Sequence, residues 1–227
     1  MRLLQNKRKT RGGVFVNKYE DVFIHPSAEI KPGARIGRGS MIWNQAQIRE
    51  SAVIGKKCII GKSVYIDQGV KIGDRVKVQN GVSVYCGVEL EDDVFLGPFS
   101  TLTNDLYPRA FDPDWQIYKT LIKKGASIGA NATVVCGNTI GEYAMIGAGT
   151  VVVSDVPPHG LVLGNPGKLF GFVCICGRKL SSLIEENEQA KVFKCDHCAK
   201  HISIPKENMQ LSKSLKRKHL SLEGDNL

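Results

Sequence analysis

The sequence predicts an all-β fold: a parallel β-solenoid with one protruding loop, followed by a small cysteine-bearing module. Three observations carry this expectation. A branched aliphatic residue recurs at every sixth position from Ile24 through Ile30, Ile36, Ile42, Ile48, Ile54, Ile60, Ile66, Ile72, Val78, Val84, Leu90 and Leu96 to Leu102. The phase is lost over TNDLYPRAFDPDW and resumes at Ile122, Ile128, Val134, Ile140, Ile146 and Val152. Beyond it, Cys174, Cys176, Cys195 and Cys198 form two closely spaced pairs. A period of six matches neither the helical repeat nor simple strand alternation. It marks strand-plus-turn units that bury their apolar sides only by stacking on one another.

Taken in order, residues 1–13 form a flexible basic arm. Residues 14–172 form the solenoid domain, with VFVNKYEDVF at 14–23 as a lead-in strand that caps its open end. Within each hexad a small residue or valine precedes the aliphatic by two positions, as at Ala46, Ala52, Cys58 and Val64. Glycine often follows it directly, as at Gly37, Gly55, Gly61 and Gly73. Those glycines predict a tight corner entered at positive φ. Three sides close a coil of eighteen residues, and twenty hexads make about 6.7 coils, a prism roughly 30 Å tall. Leu102 to Ile122 spans twenty residues where eighteen would keep step, so the loop at 103–121 must leave the prism. Prolines and glycines in SDVPPHGLVLGNPGKLFGF end the repeat. A module at 173–205 and a flexible basic tail at 206–227 complete the chain.

The formal net charge of +9 resides at the ends. Residues 1–13 hold five basic side chains and residues 200–227 hold six, with three acidic; setting these aside leaves 20 basic against 19 acidic. A nearly neutral body argues against a specific nucleic-acid partner. The N-terminal stretch lacks the apolar segment of a signal peptide, and no apolar run reaches the roughly 20 residues of a membrane span. Seven cysteines, four at metal-like spacing, point to a reducing, cytoplasmic location. Cys-x-Cys-Gly and Cys-x-x-Cys, eighteen residues apart, follow zinc-ribbon logic, so Cys174, Cys176, Cys195 and Cys198 are the expected ligands of a structural zinc. His197 or His201 as a substitute ligand, and a metal-free reduced cluster, are the alternatives.

VKVQNGVSVYCGVELEDDVFLGP, TNDLYPR, KKGASIGANATVVCGNTIGEYAMIGAGTVV and VPPHGLVLGNPGK occur in this order. In this respect the chain, from Ile24 to Phe172, resembles the hexapeptide-repeat acyltransferases with left-handed β-helices. It is most similar to those that acetylate the 3-amino group of nucleotide-activated sugars for surface polysaccharides. The resemblance implies a homotrimer with acetyl-CoA and the sugar nucleotide meeting between adjacent prisms. It implies UDP-2-acetamido-3-amino-2,3-dideoxy-glucuronate as acceptor, with a dTDP-3-amino-3,6-dideoxyhexose as the alternative. It assigns Asn104 the catalytic task of holding the amine, with the departing CoA thiolate taking the proton. Asn80, Tyr85 and Arg109 face the sugar nucleotide, the Arg109 fork reaching a diphosphate or uronate unless it pairs with Asp105 or Asp112. Backbone near Ala126 and Ala144 holds pantetheine, Pro166 lies against adenine, and Lys168 approaches a phosphate.

Two positions depart from the family pattern. Cys86 stands where an acidic residue is common, and Gly167-Lys168 replaces the commoner Ala-Arg. His25 and His159 are the histidines nearest the prism, and neither is close in sequence to the loop, so a structural or exposed role is expected of both. A zinc-dependent carbonic anhydrase on the same prism would need three histidines at subunit interfaces, more than the hexads supply. A non-enzymatic β-helix scaffold or binding module is the rival from another class, and failure to bind CoA would favour it.

Overall fold

Every expected hexad forms a strand of two or three residues ending on its aliphatic member, twenty in all from Phe23–Ile24 to Val151–Val152. The computed structural model describes residues 21–210. The basic arm, the lead-in strand up to residue 20 and the tail beyond residue 210 lie outside the described residues. Phe23 pairs in parallel with Met41, and Ile24 with Ile42, a step of eighteen residues. Each strand therefore lies on the third one after it, and the chain winds through three flat faces. The first face carries nine strands, the second seven and the third six.

The first face outlasts the hexads. Gly160–Leu163 adds a parallel strand to it, and Lys168–Phe172 turns back antiparallel. Val156 bridges Ile140 on the third face. The prism thus reaches about eight turns, beyond the expected 6.7, because strand pairing continues where the spacing of six is no longer kept. Ile42, Ile48, Ile60, Ile66, Leu96, Leu102, Ile122 and Ile128 are 0% exposed, as are Ala46, Ala52 and Cys58 in the preceding small positions. Full burial of each large aliphatic stabilises by about 1.5–3 kcal/mol, so the column stands without helices.

The glycine expectation needs correcting. Gly37, Gly55, Gly61 and Gly73 are absent from the positive-φ positions. What they require is proximity: a Cβ on Gly37 would stand 2.5 Å from the Gly55 carbonyl carbon, and one on Gly55 2.5 Å from that of Gly73. The left-handed conformation falls two residues later, at Gly39 (φ 77°), Gln45 (59°), Lys57 (55°), Ser63 (55°) and Gly69 (68°).

The loop is also larger than its sequence register suggests. Ile122 pairs with Leu90, and Leu102 with Val134. Ile122 is therefore the next side after Leu102 and not the next rung. One hexad would take six residues; the twenty observed leave fourteen as an insertion at the corner joining the second face to the third. Thr120–Ile122 already belongs to a strand.

Past the prism, Ser182–Glu186, Ala190–Lys194 and His201–Pro205 form an antiparallel sheet. Its small core gathers Cys174, Leu180, Cys195, Ile202 and Ile204. Lys206–Gln210, expected in the flexible tail, form a helical turn tied back by Lys206 Nζ to Glu186 at 2.9 Å. Among the described residues no helix is long and apolar enough to cross a membrane.

Candidate functional site

The loop leaves the prism after Thr101–Leu102, and its base is stitched to the corner around it. Thr103 N donates to Val134 O at 3.1 Å, and Thr103 Oγ1 accepts from Cys136 N at 3.0 Å. Tyr118 N donates to Asn104 O at 3.0 Å, and Thr120 N to Gly87 O at 3.1 Å. Ile117 packs over Gly87, whose φ of 92° and missing side chain leave room for it. Asp105 Oδ1 accepts from Tyr107 N, and Asp112 Oδ1 from Asp114 N, both at 2.9 Å, forming small polar turns. Tyr107, Phe111, Trp115 and Ile117 project from the surface, Phe111 with 84% exposure.

Register brings several expected residues together. Ser83 pairs with Thr101 and Val84 with Leu102, so Tyr85 lies one rung from Thr103, and Cys86 one rung from Asn104. Tyr85 packs against Tyr65, ring centroids 5.7 Å apart. Arg109 donates to its neighbour Pro108 O at 2.8 Å and pairs with neither Asp105 nor Asp112. Its exposed guanidinium has not been neutralised by a loop carboxylate.

Asn80 is held elsewhere. It follows a strand of the first face, whereas Tyr85 follows one of the second. Its Oδ1 accepts from Lys62 N at 2.9 Å, a rung-to-rung link like those from Asp74 to Lys56 N and from Asp92 to Asp74 N. Within one chain this corner asparagine secures the prism and does not join the loop group.

Three neighbours of Tyr85 escaped the sequence reading. Asp67 accepts from Cys86 N at 3.1 Å, Gln68 N at 2.7 Å and Tyr65 Oη at 2.9 Å. Arg49 Nη1 donates to the Tyr65 hydroxyl at 3.2 Å and Arg49 Nε to Glu50 at 2.7 Å. Desolvation of Tyr65, followed by its bond to Asp67, raises the phenol's pKa and keeps it a donor. Asp67 thus supplies a carboxylate one rung from Tyr85 that also binds the Cys86 N–H. The available signal was spacing by eighteen: Arg49, Asp67, Tyr85 and Thr103 occupy one column.

The expected CoA residues lie on the last rungs of the first face. Ala126 and Ala144 are buried core residues. Ala126 O accepts from Phe95 N and Ala144 O from Ser127 N, while their N–H groups close turns onto Lys123 O and Gly141 O. Their own peptide groups are therefore already engaged in the ladder and its turns. Pro166, after a cis peptide bond, is exposed in the turn between Gly160–Leu163 and Lys168–Phe172. Lys168 opens the returning strand. Gly167 N donates to Val151 O at 2.7 Å, and a Cβ there would stand 2.9 Å from Val162 Cγ1 and 3.0 Å from Val151 O. This crowding accounts for the glycine at position 167. Asn104 and these residues occupy different corners of one chain. A shallow depression of about 420 Å³ beside Lys71, Glu89, Glu91, Asp92 and Lys124 has three carboxylates in its lining, poorly suited to phosphates.

The histidines have structural partners. His25 Nδ1 meets Ser27 Oγ at 2.9 Å in the first corner. His159 stacks on Tyr143 with ring centroids 5.4 Å apart and donates from Nδ1 to Val173 O at 2.9 Å. Its burial lowers the imidazole pKa, and it stands at a corner between the third and first faces, not at the loop. The thiols of Cys58 and Cys136 are buried, which raises both pKa values.

The Sγ atoms of Cys174, Cys176, Cys195 and Cys198 lie within 4.8 Å of one another. Cys174–Cys198 and Cys176–Cys195 are separated by 3.5 and 3.6 Å. His197 and His201 are outside this group. Burial pushes the Cys174 thiol up to about 12, while the backbone N–H of Cys198 holds Cys195 down at about 7.

The fold and corner chemistry define a hexapeptide-repeat solenoid, and residues 52–86 and 121–154 match the family described as "Hexapeptide repeat of succinyl-transferase". Among known proteins, the chain is 58% identical over 62 residues to dTDP-3-amino-3,6-dideoxy-α-D-galactopyranose 3-N-acetyltransferase of Aneurinibacillus thermoaerophilus, covering 27% of this chain and 32% of that enzyme. It is 38% identical over 86 residues to serine acetyltransferase 4 of Arabidopsis thaliana, covering 38% of this chain and 21% of that protein. The chain thus spans about a third or less of these relatives' length. A solved GDP-perosamine N-acetyltransferase variant from Caulobacter crescentus, in complex with CoA and GDP-perosamine, aligns with 27% identity and a TM-score of 0.47, covering 67% of this chain and 58% of that one. Two segments of the chain thus resemble hexapeptide-repeat proteins, and one relative is named as a nucleotide-amino-sugar N-acetyltransferase.

Proposed function

We propose that this chain transfers acetyl from acetyl-CoA to the 3-amino group of a nucleotide-activated sugar, with a dTDP-3-amino-3,6-dideoxyhexose as acceptor. The observation that carries this reading is the 58% identity to an enzyme named for that chemistry. The UDP-linked uronate expected from the family pattern has no such support, and the acceptor is revised accordingly.

The neutral amine attacks the thioester carbonyl, the C–N bond forms as C–S breaks, and the leaving thiolate takes the ammonium proton. A sugar amine is less basic than lysine, whose reference pKa is about 10.4, so it reaches its neutral form without a strong protein base. Asn104 holds it in line by hydrogen bonding. Tyr85 and Arg109 bind the nucleotide sugar, Arg109 through its diphosphate. The positions of Tyr85 and Asn104 on neighbouring rungs, beside an Arg109 with no ion pair among the described residues, are consistent with these roles. CoA lies along Pro166 and Lys168 of an adjacent prism in a homotrimer. The separation of those residues from Asn104 in one chain favours a site shared between protomers.

The test is CoA release across dTDP-, UDP- and GDP-linked amino sugars and a dTDP sugar lacking the amine. Saturable turnover on the dTDP-3-amino sugar, absent with the non-amino analogue, is expected. Turnover confined to a UDP or GDP sugar would overturn the acceptor, and no release with any of them would overturn the reaction.

A further inference from the structure

We propose that Cys174, Cys176, Cys195 and Cys198 bind one zinc ion, and that this ion clasps the C-terminal sheet to the end of the solenoid. The claim is independent of acetyl transfer. It starts from geometry. Four thiolates around zinc at about 2.3 Å form a tetrahedron with edges of about 3.8 Å; Cys174–Cys198 and Cys176–Cys195 are separated by 3.5 and 3.6 Å, and all four sulfurs lie within 4.8 Å of one another. None of the four cysteines is in a disulfide.

The backbone is shaped for the ion at both pairs. Gly177 N donates to Cys174 O at 2.8 Å, and Ala199 N to Cys195 O at 2.9 Å. Gly177 (φ 82°) and Ala199 (φ 58°) are left-handed. Two tight knuckles thereby converge from the chain before the sheet and from the link between Ala190–Lys194 and His201–Pro205.

The module's size supplies the second argument. Its fully buried set is Cys174, Leu180, Cys195, Ile202 and Ile204, two of them ligands. So small a core does not order three strands by hydrophobic burial alone; small units of this kind are secured by metal or disulfide. Four thiolates also complete the coordination shell, leaving no open position for catalysis.

The clasp acts through Val173. Its N–H donates to His159 O at 2.8 Å and its carbonyl accepts from His159 Nδ1 at 2.9 Å. Cys174 follows immediately, so the first ligand is anchored to the last turn of the prism.

Metal analysis of full-length protein, purified with zinc and without chelator, should find about one zinc per chain. Cys176→Ser/Cys198→Ser should lower this to less than about a tenth. Stripping zinc from the unmodified chain should leave the β-sheet circular dichroism of the solenoid but speed proteolytic cleavage within 177–205 by about tenfold or more, reversed by adding zinc back. Zinc well below one per chain, iron in its place, or cleavage indifferent to stripping would overturn the proposal. The stripped unmodified chain keeps the test decisive should the double variant fail to fold.

Discussion

At Gly55 a hydrogen in place of a methyl group decides how closely two rungs approach. A Cβ there would lie 2.5 Å from both the Gly73 carbonyl carbon and Asp74 Oδ1. Gly69 has the opposite constraint: nothing stands within 4 Å of its Cβ position, but its φ is 68°. Gly55→Ala should therefore destabilise by about 1–3 kcal/mol through overpacking. Gly69→Asn should cost less than about 1 kcal/mol, because asparagine tolerates the left-handed region. Chemical denaturation of the two variants measures both. Equal losses would mean that clearance and φ do not divide the glycines in this way. Sequence alone could not make that division, since a recurring glycine marks a constraint without saying which one. Asp67 was hidden for a related reason. Its bond from Cys86 N arises only once the eighteen-residue coil is closed.

At the scale of elements, the loop is separable from the prism. Removing residues 105–118 joins Asn104 to Lys119 and puts Ile122 six positions after Leu102, restoring the repeat. The shortened chain should keep its β circular dichroism and cooperative melting, because Leu102↔Val134 and Leu90↔Ile122 already hold the flanking rungs. Acetyl transfer should fall by at least about a hundredfold, since the loop supplies Arg109 and frames Asn104. Retained turnover would separate the loop from the site. The twenty hexad strands were legible because one stacking problem is solved twenty times. Gly160–Leu163 was not, because strand pairing there continues without the six-residue spacing.

For the whole molecule, charge, shape and site bear on one another. The body is close to neutral, and the depression beside Lys71, Glu89 and Lys124 does not include Asn104. The proposed site, shared with a neighbouring prism, would account for the separation of Asn104 from Pro166 within one chain. The most direct test compares steady-state acetyl transfer to a dTDP-3-amino-3,6-dideoxyhexose by the unmodified chain and by Asn104→Ala, with assembly size checked by light scattering. The unmodified chain should turn over saturably, and the variant should lose roughly 10- to 1000-fold in kcat at unchanged assembly mass. Equal rates, or no transfer by either protein, would contradict the account.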